Sequence, residues 1–363
     1  MTKRKLVLEN GTEFIGEAFG GNVREAGEVI FFTGMSGYQE MMTDPSYTGK
    51  IVVTTFPTIG AYGVNRDDFE AISPAIDGLI VHELYDAPSN FRSEENVDTY
   101  LKRHNIPGIS GIDTRQLTKL IREEGVMKGK MLDADETLQP NAFLNDSNEM
   151  DMLEKVSISK PYIIPGHGKR IVVIDLGVKQ SMLHELTSCG CHITVVPYNC
   201  ETEEMERFKP DGIMLSNGPG NPENMPELIN AVQTLKQNYP LFGIGLGYEL
   251  IALAYGAKLR KLHVSNYGVN MPVKNLQAKK TSFTTLSHDY IVDESSLPVD
   301  FDITHRILHD QAIAGLKHQK DAVMGIQFHP EGAPGTDEMK DLFTTFLDEL
   351  VGTERINGGN KHA

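Results

Sequence analysis

Apolar and polar positions along the first third of the chain fall into short strand-like runs. Leu6-Val7-Leu8, a turn at Asn10-Gly11 and then Glu13-Phe14-Ile15 predict a hairpin. Val29-Ile30-Phe31-Phe32 and Ile51-Val52-Val53-Thr54-Thr55 are β-branched and aromatic, as strands on a packed face require. Between Asp113 and Arg122 the apolar residues recur at helical spacing, with Asp113 placed to cap the helix. Regularity fades from about Leu132 to Pro165, where Pro161, Pro165, Gly166 and Gly168 close the stretch. These shifts predict a first domain over 1–150, a linker over 151–168, a second domain over 169–352 and a tail over 353–363.

From Ile171 the pattern changes. Ile171-Val172-Val173-Ile174 is wholly apolar, as a strand covered on both faces must be. A helix over Lys179 to Ser188 follows, then a strand at Ile193-Thr194-Val195-Val196. Another helical segment leads to a strand at Gly212-Ile213-Met214-Leu215. A helix near Glu227 to Gln237 precedes the strand Leu241-Phe242-Gly243-Ile244. Such alternation predicts a parallel α/β sheet with right-handed crossovers, its chemistry gathered beyond the carboxyl ends of the strands.

Composition narrows the classes. The 363 residues suffice for two or three domains, and 40% hydrophobic with 23% charged residues is ordinary for a globular protein. A net charge of −16 argues against nucleic-acid and anionic-membrane partners, which need clustered positive charge. Met1-Thr2-Lys3-Arg4 runs straight into an apolar strand without a signal-like stretch, and no window is apolar for long enough to cross a bilayer. The three cysteines, Cys189, Cys191 and Cys200, make no disulfide framework and are expected to pack as small apolar residues. A reduced, cytoplasmic protein with no metal site is the expectation.

Three stretches carry chemistry. Leu215-Ser216-Asn217-Gly218-Pro219-Gly220 follows a strand and leaves backbone N–H groups open to a ligand, although a plain turn has the same form. Phe242-Gly243-Ile244-Gly245-Leu246-Gly247-Tyr248-Glu249 has the strand–turn–helix shape of a nucleophile elbow, but its tip, Gly245, has no side chain to present. In Gly325-Ile326-Gln327-Phe328-His329-Pro330-Glu331, His329 and Glu331 are two apart. On an extended segment they point to one side, as a base held by a carboxylate does.

Together, in this order and spacing, the three resemble the class I glutamine amidotransferase domain, a flavodoxin-like fold with a mostly parallel sheet. The N-terminal part is similar to carbamoyl phosphate synthetase small subunits through Thr33-Gly34-Met35-Ser36-Gly37-Tyr38-Gln39-Glu40, Thr43-Asp44-Pro45-Ser46-Tyr47 and Pro107-Gly108-Ile109-Ser110-Gly111-Ile112-Asp113-Thr114-Arg115. The resemblance implies glutamine hydrolysis and delivery of ammonia to a large subunit that uses ATP, Mg and bicarbonate for pyrimidine and arginine synthesis, with no cofactor in this chain. It places the nucleophile at position 245, the rest of the triad at His329 and Glu331, and the oxyanion N–H groups at Gly220 and Leu246. It places substrate contacts at Ser46, Gly218, Gly220, Leu246, Glu249, Ser287, Asp289 and Tyr290.

The departures from that family converge on the pocket. Cysteine is replaced by Gly245, and the family's His-Gln after the elbow by Tyr248-Glu249, expected to bring a carboxylate near the substrate. The Gln-Asn-His-Gly-aromatic segment becomes Leu286-Ser287-His288-Asp289-Tyr290, and Gly-His-x-Gly becomes Ser265-Asn266-Tyr267-Gly268. Loss of a triad nucleophile removes on the order of a millionfold in kcat. The leading expectation is therefore an inactive glutaminase that assembles with an ammonia-dependent synthetase. Two alternatives stand beside it. One is an active glutaminase in which Gly245 is an introduced substitution. The other is a non-enzymatic binding module whose Glu249 and Asp289 disfavour anions and accept an amine.

Overall fold

Seven strands of the N-terminal part close on themselves. The structure is a computed structural model describing residues 2–22, 26–138, 142–143 and 149–352; the expected tail over 353–363 lies outside the described residues. Its strands here are β1 (Lys3–Leu8), β2 (Glu13–Gly20), β3 (Ala26–Phe32), β4 (Lys50–Thr54), β5 (Thr58–Ile59), β6 (Gly78–Ile80), β7 (Glu83–Leu84), β8 (Pro107–Ser110) and β9 (Met127–Asp133). The barrel order is β1-β2-β8-β6-β4-β3-β9, with β9 returning to β1, while β5 and β7 pair separately. Helices α1 (Tyr38–Thr43), α2 (Val97–Arg103) and α3 (Thr114–Glu124) lie between the strands, and the Asp113 side chain accepts from the Gln116 N–H as expected. The period-2 alternation of β4 divides its side chains between two cores: Ile51 and Val53 pack with Leu6 and Ile109, and Val52 with Tyr47 and Tyr100.

The stretch expected as a linker is structured. It holds α4 (Glu149–Val156) and β10 (Tyr162–Ile164), which pairs antiparallel with the second sheet. That sheet continues with β11 (Arg170–Asp175), β12 (His192–Pro197), β13 (Gly212–Leu215), β14 (Leu241–Ile244), β15 (Leu259–Asn275), β16 (Lys280–Val292), β17 (Phe301–Ile307), β18 (Ile313–His318) and β19 (Val323–Ile326). Helices α5 (Gln180–Ser188), α6 (Thr202–Arg207), α7 (Pro226–Leu235), α8 (Leu246–Ala254) and α9 (Asp341–Thr345) accompany it. The order is β10-β12-β11-β13-β14-β19-β18-β17-β15-β16, with β12, β11, β13, β14 and β19 parallel.

The apolar run of β11 serves both faces. Ile171 and Val173 join one core with Phe242 and Phe346, and Val172 and Ile174 join another with Leu228 and Leu250. Each such burial stabilises by roughly 1.5–3 kcal/mol. All three motifs therefore emerge at the carboxyl ends of neighbouring parallel strands: Ser216-Asn217 after β13, Gly245 after β14 and Gln327 to His329 after β19. Tyr267 of β15 reaches into the N-terminal core beside Tyr47, with ring centroids 4.8 Å apart, and so joins the two parts at the site.

Candidate functional site

The turn after β14 is as tight as its glycines imply. Gly245 caps α8 at φ 57° and ψ −114°, the strained positive-φ geometry of a nucleophile elbow, which glycine adopts at least cost. Its N–H donates to the Ile326 carbonyl at 2.9 Å. The tip has space, because a Cβ on Gly245 would meet nothing nearer than the Asn217 Cβ at 3.4 Å. Gly247 is different: a Cβ there would lie 2.3 Å from the Leu215 carbonyl oxygen, so α8 can press on β13 only without a side chain at this position. Leu246 opens α8, and its N–H has no intrahelical acceptor.

His329 is fully buried, and its Nδ1 lies 3.0 Å from Glu331 Oε1. The pairing expected from their spacing is therefore present. Two further groups complete it. The Lys179 ammonium, itself fully buried, donates to the same Glu331 oxygen at 2.8 Å, and Ser287 Oγ lies 2.7 Å from His329 Nε2. Burial opposes the charge on Glu331, but Lys179 and His329 outweigh it and hold the carboxyl down at about 2. Burial likewise opposes the charge of Lys179, and Glu331, Glu70 and Asp44 reverse the effect and raise it above its ordinary value.

All eight residues expected to contact glutamine line one cavity. Ser46 comes from the barrel part, Gly218 and Gly220 from the turn after β13, Leu246 and Glu249 from α8, and Ser287, Asp289 and Tyr290 from β16. The cavity measures about 20 Å³. That is enough for a single water, which needs roughly 10–15 Å³. Asp289 is held inside it: Lys50 of β4 donates to its Oδ2 at 2.7 Å and the Tyr267 hydroxyl at 3.3 Å. Lys50 also donates to Glu28 Oε2 at 2.5 Å, and Lys261 to Glu28 Oε1 at 2.6 Å. Burial works against ionisation of Glu28, but these two ammonium groups bring its carboxyl down to about 2.

Two expectations about charge are corrected. Glu249 is not a carboxylate at neutral pH. It is fully enclosed on α8, accepts from Gln327 Nε2 at 2.9 Å, and burial pushes its carboxyl up to about 8. Nor does Asp289 offer an open negative site for an amine, because an ammonium of the chain is already on it. Of the cysteines, only Cys191 packs as a buried apolar residue; Cys189 is exposed and Cys200 half-buried, and all three flank β12, which β11 and β13 separate from the elbow strand β14. Among the described residues, no cluster of three or more His, Cys, Asp or Glu could hold a metal, and no helix is long and apolar enough to cross a membrane.

Residues 6–131 match the family Carbamoyl-phosphate synthase small chain, CPSase domain, and residues 172–349 match Glutamine amidotransferase class-I. The carbamoyl phosphate synthase small chain of Oceanobacillus iheyensis is 46% identical over 366 residues, covering 100% of both chains. That of Listeria monocytogenes is also 46% identical with 100% of both chains covered. The pyrimidine-specific small chain of Bacillus subtilis is 47% identical over 97% of each. The chain belongs to the carbamoyl phosphate synthase small-chain family. Its fold is accordingly an α/β one, a small-chain N-terminal domain followed by a class I glutamine amidotransferase domain.

For a small chain, several residues at the site carry no signal of their own in the sequence. Asn217 donates to Ser46 Oγ at 2.9 Å and to Asp44 Oδ1 at 3.2 Å, which ties the two domains together at the cavity wall. Lys179 stands at the start of α5 and Lys50 at the start of β4, where solvated lysines are common; only their partners mark them as buried. Gln327 lies inside a motif already singled out, yet its bond to Glu249 depends on β19 and α8 being neighbours.

Proposed function

We propose that this chain is the small subunit of a carbamoyl phosphate synthase that does not itself hydrolyse glutamine. In this reading Gly245 stands where the family carries its nucleophilic cysteine. The chain assembles in the cytoplasm with a large subunit that binds ATP and Mg and takes free ammonia. The observation that carries it is the cavity itself: about 20 Å³, with Asp289 and its Lys50 partner on the wall. Small-molecule sites usually measure roughly 300–1,000 Å³. Gly245 supplies no nucleophile, and the His329 nitrogen not held by Glu331 is bonded to Ser287. Acyl transfer needs both a nucleophile and a free base beside it.

The boundaries proposed with it are 1–150 for the domain that supplies subunit contact and 169–352 for the degenerate amidotransferase domain. Pyrimidine synthesis is favoured over arginine synthesis by the name of the Bacillus subtilis relative. The test is carbamoyl phosphate formation by the purified pair of chains. Synthesis with ammonia and none with glutamine supports the reading; equal rates with both nitrogen sources overturn it.

One observation favours a second reading, an ordinary glutaminase in which Gly245 is an introduced substitution. The elbow keeps its geometry and has room for a side chain at its tip. Full glutaminase activity in Gly245→Cys would establish it. A pocket for amines has less support, since Glu249 is neutral at pH 7 and Asp289 is paired.

A further inference from the structure

On the other side of Tyr267 from the closed pocket lies a much larger space. A cleft of about 830 Å³ runs along the seam between the two parts of the chain. Phe31 and Arg122 border it from the barrel part, and β15, the end of β16 and the turn between β17 and β18 border it from the sheet. Its volume falls in the range of small-molecule sites, roughly 300–1,000 Å³.

The backbone opens this cleft at an irregularity. β15 pairs with β16 up to Lys261↔Tyr290 and resumes at Asn266↔His288, so residues 262–265 stand against Asp289 alone. Bulges of this kind re-aim side chains and gather beside binding sites. Here the bulge brings Ser265 to the cleft wall, 7% exposed, with its Oγ buried and without a hydrogen-bond partner. A buried hydroxyl left unpaired is destabilising unless something supplies a partner.

The charges on the wall are not equally committed. Glu294 takes both Arg306 guanidinium nitrogens, at 2.6 and 2.9 Å. Asp310 accepts from the Ala312 N–H at 3.0 Å and from Asn266 at 3.3 Å, and Asp293 from the Ser295 N–H at 3.1 Å and its hydroxyl at 2.8 Å. Arg122 lies over the Phe31 ring at 5.2 Å and forms no ion pair among the described residues. Arg260 lowers the pKa of Asp293 through its charge but forms no ion pair either. Two guanidinium groups without an ion pair among the described residues, in a chain of net charge −16, offer a local anion site. The rest of the wall includes Leu262, Met271, Ile291 and Ile313, an apolar surface that a bare inorganic ion would leave uncovered.

We propose that this cleft binds a phosphorylated organic molecule of nucleotide size, its phosphates on Arg122 and Arg260, its flat portion on the apolar wall, and one polar atom on Ser265. The guanidinium pair recognises phosphate oxygens by paired N–H donors, and the apolar floor selects for an organic group beyond them.

Calorimetric titration of the full chain with ADP, adenosine and inorganic phosphate tests this. Saturable ADP binding is expected, weakened about tenfold or more in Arg122→Ala/Arg260→Ala and weakened again by added salt. Both arginines are exposed, so an unchanged thermal melt will show the variant folded. Adenosine and inorganic phosphate are each expected to bind more weakly than ADP. Absence of saturable ADP binding, an unchanged affinity in the folded double variant, or equal affinity for either fragment would overturn the proposal. None of these results depends on glutamine hydrolysis.

Discussion

Ser287 Oγ lies 2.7 Å from Nε2 of His329, so the imidazole is bonded at both nitrogens, to a serine on one side and to Glu331 on the other. The arrangement has the form of a Ser-His-Glu triad, but its serine sits on strand β16 rather than at the elbow. Its hydroxyl engages the second nitrogen of the imidazole. Ser287→Ala is expected to release Nε2 and to lower stability by about 1–2 kcal/mol, the cost of one buried hydrogen bond. Urea denaturation measures the loss. His329 ring resonances at unchanged positions in the NMR spectrum of the variant would contradict the role given to this contact.

The enclosed Glu249 makes stability depend on pH. Its folded-state pKa is raised, from 4.5 to about 8, so the native state holds a proton that the unfolded chain releases. The stability tied to this proton is complete below pH 4.5 and is lost as pH rises through about 8. The loss by pH 8 is on the order of 4 kcal/mol. Glu249→Gln keeps an acceptor for Gln327 and has no proton to lose. Urea midpoints of the variant should therefore fall less between pH 5 and pH 8 than those of the parent. Glu40, pushed up to about 7 by burial, titrates in both proteins and cancels in the comparison. Parallel pH profiles would count against a neutral Glu249.

Lys179 and Glu331 form a pair with both side chains fully buried. Removal of Lys179 leaves the buried Glu331 carboxylate with His329 as its remaining partner, and breaking such a buried pair costs about 3–5 kcal/mol. Lys179→Met should destabilise by that amount in chemical denaturation, and Lys179→Met/Glu331→Gln should recover a large part of it. A double variant as unstable as the single one would show that the pair is not coupled.

Restoring a thiol alone should not restore glutaminase activity, because a side chain at position 245 does not enlarge the cavity. Gly245→Cys is expected to remain roughly 100-fold or more below Gly245→Cys/Ser287→Asn/Asp289→Gly, the cost of a misplaced reacting group. Lys50 keeps Glu28 as its partner in the latter protein, so the seam retains an ion pair. Ammonia release from glutamine is the measurement. Glutaminase activity in Gly245→Cys alone as high as in the triple variant, and well above that of the parent, would return the chain to the ordinary glutaminases.

Much of this architecture was legible in the order of residues. The apolar runs of β11 to β14, the cap at Asp113 and the turn at Gly245 follow from short-range rules of periodicity, capping and glycine geometry, and such rules act over a few residues. The His329–Glu331 contact was legible for the same reason, since its members are two residues apart. The state of the site was not. Ser287 and His329 are 42 positions apart, Lys179 and Glu331 152, and Lys50 and Asp289 239. The fold decided that these groups meet, that Glu249 is enclosed enough to stay protonated, and that the pocket holds no more than a water. The physical reason is that pKa values and cavity volumes depend on everything packed around a group, and only long-range packing sets those surroundings.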